Sequence, residues 1–70
     1  GVDISVPTGT PVRVTADGIV RHASPMSGYG KLVVVAHPGG YETYYAHLSR
    51  INVIPGQDVR RGDIVALSGS

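Results

Sequence analysis

The side chains of this sequence that could carry acid–base or metal chemistry are three histidines and five carboxylates, and the chain has no cysteine. A disulfide framework, a thiolate metal site and a cysteine nucleophile are therefore excluded. His47 is the histidine of most interest, because it ends a tyrosine-rich segment where a neutral imidazole could bind a metal, abstract a proton or stabilise an oxyanion. From periodicity alone, a histidine that packs beside tyrosines is the more common case.

The other two histidines and the first carboxylate have simpler interpretations. His22 follows a predicted strand and His37 precedes a Pro-Gly-Gly turn, so we expect both to be solvent-facing or hydrogen-bonded structural residues. Asp3 stands between the apolar residues Val2 and Ile4, where the buried face of a strand would not accept a carboxylate. A lone Asp in such a place is most often exposed to solvent.

Hydrophobic periodicity predicts the elements that position these residues, with strands throughout and no helix longer than a turn. The predicted fold class is all-β. Asp17-Gly18 is predicted to be a hairpin turn with positive φ, between strands at residues 12–15 and 19–20. The apolar run within residues 31–37 is typical of a strand that is buried on both faces, at the centre of the sheet.

The strand predicted over residues 41–48 carries the candidate histidine. A period of two divides this strand into two faces. One face holds Tyr41, Thr43, Tyr45 and His47, and the other holds Glu42, Tyr44, Ala46 and Leu48. Pro-Gly turns are predicted before it, at residues 38–40, and after it, at residues 55–56.

Composition limits the possible classes of protein. Seventy residues, 41% hydrophobic and 16% charged, suit one small folded domain and neither a disordered chain nor a membrane span. The net charge is +1 and the basic residues are scattered, so nucleic acid is not an expected partner. The Pro/Gly turns that precede Val12 and Val59 echo each other, which fits two similar hairpin motifs packed together.

Five strings, in order along the chain, are more specific than any single residue. They read GVDISVPTGTPV at residues 1–12, ADGIV at 16–20, GYG at 28–30, YAHLS at 45–49 and GQDVRRG at 56–62. Together they resemble the lysostaphin/LytM-type zinc endopeptidases. The resemblance implies a duplicated-hybrid-motif fold of barrel-sandwich-like antiparallel sheets. It also implies cleavage of peptide cross-links in bacterial peptidoglycan, and hence a place in the bacterial cell envelope, periplasmic or extracellular.

The resemblance also implies roles for particular residues. Asp3 matches the aspartate of the family's HxGVD motif, which is a zinc ligand, and His47 matches a catalytic histidine that is not a ligand. Zinc with three protein ligands keeps a position for water and makes it nucleophilic. His47 would help to activate that water or stabilise the tetrahedral intermediate.

Tyr29 and Tyr45 are expected to contact the peptidoglycan peptide, and Tyr41 and Tyr44 are further candidates for the walls of the groove.

The sequence departs from the family's pattern at both ends. It begins at the Gly of the first motif and stops before the late HxH motif, so Asp3 is the one expected metal ligand among these 70 residues. A single carboxylate cannot hold zinc in a tetrahedral site. We therefore expect residues 1–70 to be the central part of a peptidase domain, truncated at both ends and inactive by themselves. Its unpaired sheet edges could associate with other chains.

Two alternatives stay open at this point. A degenerate relative without a metal site could bind or activate another cell-wall hydrolase, although Asp3 and His47 are both present. A lipoyl- or biotinyl-type carrier domain has a hairpin similar to residues 53–66, but such a carrier needs a lysine at an exposed hairpin tip. The single lysine, Lys31, adjoins the apolar run instead.

Overall fold

A computed structural model describes residues 6–69, and that part of the chain contains six β-strands. The predicted all-β class is confirmed. No helix within these residues is long and apolar enough to cross a membrane. The strands are β1 (Pro11–Arg13), β2 (Gly18–Met26), β3 (Gly30–His37), β4 (Tyr41–Ile51), β5 (Asp58–Val59) and β6 (Ile64–Ser68).

These strands form one curled antiparallel sheet in the order β1-β6-β4-β3-β2-β5. The long strands β3 and β4 lie at the centre and are joined by the predicted turn at residues 38–40. The short strands β1 and β5 are the edges of the sheet. The candidate histidine is therefore on a central strand, with β3 on one side and β6 on the other.

The alternation of side chains along β3 explains its place at the centre. Val33 and Val35 belong to the inner core, whereas Leu32 and Val34 are buried on the opposite face of the sheet. Since fully burying one such side chain is worth about 1.5–3 kcal/mol, an uninterrupted apolar run favours a position covered on both faces. The other members of the inner core come from the neighbouring strands and loops: Val14, Val20, Leu48, Val53, Val59, Val65 and Ala66.

The predicted hairpin at Asp17-Gly18 is wrong. β1 pairs with β6, while β2 pairs with β3 and β5, and neither Asp17 nor Gly18 has a positive φ. The Asp17 carboxylate instead accepts a hydrogen bond of 2.8 Å from the Arg61 amide. Gly18 is required for a close approach, because a Cβ there would collide with the carbonyl oxygen of Ala36.

The two echoing turns have the same geometry. In the turns over residues 7–10 and 54–57, the amide of the fourth residue donates a hydrogen bond of 3.2 Å to the carbonyl of the first residue. The third residue is a glycine in both, with φ of 90° at Gly9 and 89° at Gly56, which an L side chain rarely adopts. Each turn leads into an edge strand, β1 or β5. The two similar sequences therefore form turns of the same conformation, and each of these turns precedes an edge strand.

Candidate active site

His47 lies on an irregular part of β4. Tyr45 pairs with Val33 and Leu48 pairs with Lys31, so β4 advances by three residues while β3 advances by two. Within residues 6–69, His47 is the one non-glycine residue with a positive φ, 54°. Bulges of this kind redirect a side chain and are common beside active sites, and histidine tolerates the left-handed region better than most residues.

The bulge changes which face the candidate histidine occupies. Tyr45 packs against the inner core and Leu48 belongs to it, although strict alternation would place these two residues on opposite faces. His47 is exposed. The prediction that His47 shares one face with Tyr45, and Leu48 the other, is therefore wrong, because the extra residue of the bulge breaks the period of two.

The loop between β2 and β3 contacts His47. The His47 amide donates a hydrogen bond of 2.8 Å to the Tyr29 carbonyl, and the next residue, Gly30, lies so close that a Cβ there would be 3.7 Å from His47 Nδ1. The rings of Tyr29 and Tyr44 are 6.2 Å apart between centroids. The structure thus brings Tyr29 beside His47, with Tyr44 next to Tyr29.

Tyr44 also lines a shallow groove of about 230 Å³ on the outer face of β2, β3 and β4. The buried side chains of Leu32 and Val34 contribute to this groove, and Arg21 and Glu42, 3.6 Å apart, stand at its side. Its other lining residues are His22 and Met26. The lining of this groove is therefore mixed, with apolar side chains next to charged and polar ones.

A larger cavity, of about 720 Å³, lies at the other end of β3 and does not include His47 or a tyrosine. His37 forms part of it, but both ring nitrogens of His37 are used within the fold. Nδ1 donates to the Asp17 carbonyl at 2.7 Å, and Nε2 accepts from the Thr43 hydroxyl at 2.7 Å. The buried His37 ring also stacks on Tyr41. This histidine is structural, as its sequence context predicted.

The remaining sequence predictions have different positions. Tyr45 is half-buried, and its hydroxyl lies 3.4 Å from that of Thr43. His22 is half-buried, and its Nε2 donates to the Ser24 carbonyl at 3.0 Å. Lys31 is the second residue of β3, and its Nζ donates to the Ser49 carbonyl at 2.9 Å. A carrier domain would need this lysine at a hairpin tip, so its position argues against that alternative.

The predicted metal ligand, Asp3, lies outside the described residues. Within residues 6–69, no group of three or more His, Asp or Glu side chains is placed to hold a metal ion. Of the histidines in this range, His37 has no free ring nitrogen and His22 bonds to its own strand. The described donors therefore do not by themselves fit a zinc site.

Sequence reasoning missed one residue beside His47. Gly69 follows β6, and a Cβ at this position would collide with the His47 carbonyl oxygen. The available signal was a glycine shortly after the apolar residues 64–67, and a glycine in such a place usually indicates only a turn. Residues far apart in sequence meet here, and a period of two cannot show which of them do.

Comparison with known proteins gives consistent matches over the chain. The model of peptidase family M23 matches residues 1–70. The DD-carboxypeptidase/endopeptidase Mpg of Neisseria meningitidis serogroup B and the peptidoglycan DD-endopeptidase ShyA of Vibrio cholerae are each 43% identical to this chain over 70 residues. Each match covers 100% of this chain and 16% of the relative.

Solved structures agree with the sequence matches. A zinc-containing peptidase from Vibrio cholerae superposes with a TM-score of 0.88 at 40% identity, covering 93% of this chain and 20% of that one. The solution structure of lysostaphin gives a TM-score of 0.85 at 33% identity, covering 93% of this chain and 27% of lysostaphin. The chain thus spans less than a third of each of these proteins.

Proposed function

Because this chain belongs to peptidase family M23, we propose that it is part of a zinc-dependent endopeptidase that cleaves peptide cross-links in bacterial peptidoglycan. A relative 43% identical over the chain is named as a peptidoglycan DD-endopeptidase. The proposal covers the whole protein, of which these 70 residues are one portion. Such an enzyme would work in the cell envelope, in the periplasm or outside the cell, where its substrate is.

The observation that carries the proposal is the conformation of His47. Its imidazole is exposed, while its backbone is held in a left-handed bulge at the centre of the sheet. A histidine kept on a rigid strand but open to substrate can accept a proton from an attacking water. In its protonated form it can donate a hydrogen bond to the oxyanion of the tetrahedral intermediate. We propose one of these two roles for His47.

We propose that the substrate peptide lies along the groove on the outer face of β2, β3 and β4. Tyr29 lies beside His47 and next to Tyr44, which lines the groove. These two rings could hold a peptide whose scissile bond is at His47. Tyr45 stays a proposed substrate contact, but its ring packs against the inner core and its hydroxyl lies 3.4 Å from that of Thr43, so any such contact would lie outside this groove.

Zinc is the proposed cofactor of the whole protein, and Asp3 is proposed as one carboxylate ligand. The neighbour from Vibrio cholerae with 40% identity is described as zinc-containing. Since the donors in residues 6–69 do not form a metal cluster, the remaining ligands would be histidines elsewhere in the protein. The proposed chemistry of the described part of the chain is therefore that of His47.

The test is an assay of the full gene product on purified peptidoglycan, with zinc supplied or removed by a chelator. We expect hydrolysis that depends on zinc, and we expect His47→Ala to lower it by about 10²–10⁴-fold, the usual contribution of general acid–base catalysis. The control is Asn52→Ala, an exposed residue outside the site. Hydrolysis by His47→Ala at the rate of the control would contradict the catalytic role.

The same assay decides between an enzyme and a binding module. If the zinc-loaded wild-type protein binds peptidoglycan but never hydrolyses it, the protein is a non-catalytic module of the same fold. Stimulation of another cell-wall hydrolase by the added protein would then identify its role. A product mixture with newly freed peptide amines would support the endopeptidase.

A further inference from the structure

We propose that Gly69 is a positioning residue for His47, which holds the bulge of β4 in place from the β6 side. The inference rests on the proposed catalytic role of His47. Gly69 follows β6, which is the neighbour of β4 in the sheet. Its role is to let two backbones meet at the site, and a side chain of any size would separate them.

The contact is between backbone atoms. A Cβ at Gly69 would collide with the carbonyl oxygen of His47, and it would lie 3.1 Å from both Leu48 C and Ser49 N. Gly69 does not have a positive φ, so its backbone conformation does not itself require glycine. Glycine is required here because the backbones of Gly69 and His47 approach each other closely. Because the contacted atoms are backbone atoms and not the end of a flexible side chain, a methyl group here has to shift the backbone at Gly69, at His47 or at both, and we infer that His47 is affected.

His47 is thereby held from both sides. On the β3 side its amide donates to the Tyr29 carbonyl at 2.8 Å, and on the β6 side its carbonyl faces Gly69. The Ser49 hydroxyl ties the same two strands together, since it donates to the Ser68 carbonyl at 2.8 Å. A left-handed residue other than glycine persists only where the surrounding structure fixes it, and these contacts supply that constraint.

The expected consequence concerns orientation more than binding. Displacing the His47 carbonyl turns the peptide between His47 and Leu48 and with it the imidazole. The nearest atoms to a Cβ at Gly69 belong to the backbone of His47, Leu48 and Ser49, and not to the rings of Tyr29 and Tyr44 that would hold the peptide. A substitution at Gly69 should therefore lower kcat and leave KM nearly unchanged.

The test compares Gly69→Ala with Gly18→Ala in the full gene product. Gly18 is a matched control, because a Cβ there also collides with a backbone carbonyl, that of Ala36, and also without a positive φ. It lies at the other end of β3 from the site. We expect both variants to lose similar thermal stability. Gly69→Ala should also lose about 10- to 100-fold in kcat, the effect of misplacing a catalytic group by a fraction of an ångström to an ångström.

A second measurement does not depend on activity. In ¹H–¹³C spectra of histidine-labelled protein, with the His47 signals assigned from their loss in His47→Ala, we expect Gly69→Ala to shift the His47 ring signals and Gly18→Ala to leave them in place. Equal His47 shifts and equal kcat values in the two variants would overturn the proposal.

If Gly69→Ala does not fold, Ser49→Ala is a milder variant that tests whether the contact between β4 and the end of β6 positions His47. It removes the hydroxyl that ties β4 to the end of β6, and we expect a smaller shift of the His47 signals and a loss in kcat of a few fold. Ser49→Thr keeps the hydroxyl and should restore both. No shift in Ser49→Ala would contradict the proposal.

These readouts also separate the two proposals. If His47→Ala keeps full hydrolysis, the catalytic role fails, while the ring signals still show whether Gly69 positions His47. If His47→Ala is inactive but Gly69→Ala behaves like Gly18→Ala, only the positioning role fails.

Discussion

The Nε2 atom of His37 lies 2.7 Å from the hydroxyl oxygen of Thr43, across the pairing of β3 and β4. Because the Asp17 carbonyl can only accept, His37 Nδ1 carries the proton toward it. In the neutral ring Nε2 is then the acceptor, and Thr43 is the donor. This bond completes the partners of a histidine that is only 6% exposed.

Replacing Thr43 with valine keeps the shape of the side chain and removes the donor. His37 Nε2 would then be buried without a partner, so Thr43→Val should lower the free energy of unfolding by about 1–3 kcal/mol. Thr15→Val, at an exposed threonine, is the control and should change it by less than about 0.5 kcal/mol. Denaturant unfolding measures both, and equal values would show that the bond adds no stability.

The inner core should be sensitive at Val33. This side chain is 0% exposed on the central strand, so Val33→Ala combines lost burial with a cavity and should cost about 1–3 kcal/mol of unfolding free energy. Ile54→Ala removes more atoms, but Ile54 is 69% exposed, and its effect should stay near zero. If the Ile54 variant were the less stable one by thermal unfolding, the assignment of the core would be incorrect.

The Tyr29 ring should matter for substrate binding and its backbone for His47. Tyr29→Ala removes the ring but keeps the carbonyl that accepts from the His47 amide. We expect KM for a peptidoglycan peptide to rise by about 2- to 12-fold, the range for losing one aromatic contact of roughly 0.5–1.5 kcal/mol, with kcat within about threefold. Tyr41→Ala, at an exposed tyrosine beside His37, should leave KM unchanged. Equal KM values for the two variants would remove Tyr29 from the substrate site.

The equivalent turns should respond equally to substitution. A Cβ added at Gly9 or at Gly56 would have no atom within 4 Å, so Ala meets no steric contact at either site. Its cost there is that of the left-handed backbone, about 1–2 kcal/mol. Gly9→Ala and Gly56→Ala should therefore lower thermal stability by similar amounts. A difference larger than about 1 kcal/mol, comparable to that backbone cost, would mean that the two turns are not equivalent in the folded protein.

The sequence predicted what local pattern controls. The apolar run of β3, the turn at residues 38–40 and the structural role of His37 all follow from residue type and spacing, and the structure confirms them. The pairing of β1 with β6 could not be predicted in this way, because the Asp17-Gly18 signal for a hairpin is satisfied instead by contacts with Arg61 and Ala36.

The sequence was enough to predict His47 as the candidate site residue, but not its backbone conformation or its neighbours. Resemblance indicated His47, whereas its left-handed backbone depends on Tyr29 on one side and Gly69 on the other, both remote in sequence. Periodicity describes a strand as if its neighbours were uniform. At His47 the neighbours differ, and the bulge follows from them.

The composition of the core has a consequence for motion. Of the eleven buried hydrophobic residues in the described range, eight are valines, and a β-branched side chain is restricted in its rotamers. Ordering such side chains costs little entropy, and few alternative packings compete with the native one. We expect slow amide exchange throughout β3 and β4, and faster exchange in the loop at residues 27–29. Under the proposed function, the protein would thus adapt to its substrate through the loop at residues 27–29, whose Tyr29 carbonyl accepts from the His47 amide, while β3 and β4 stay rigid.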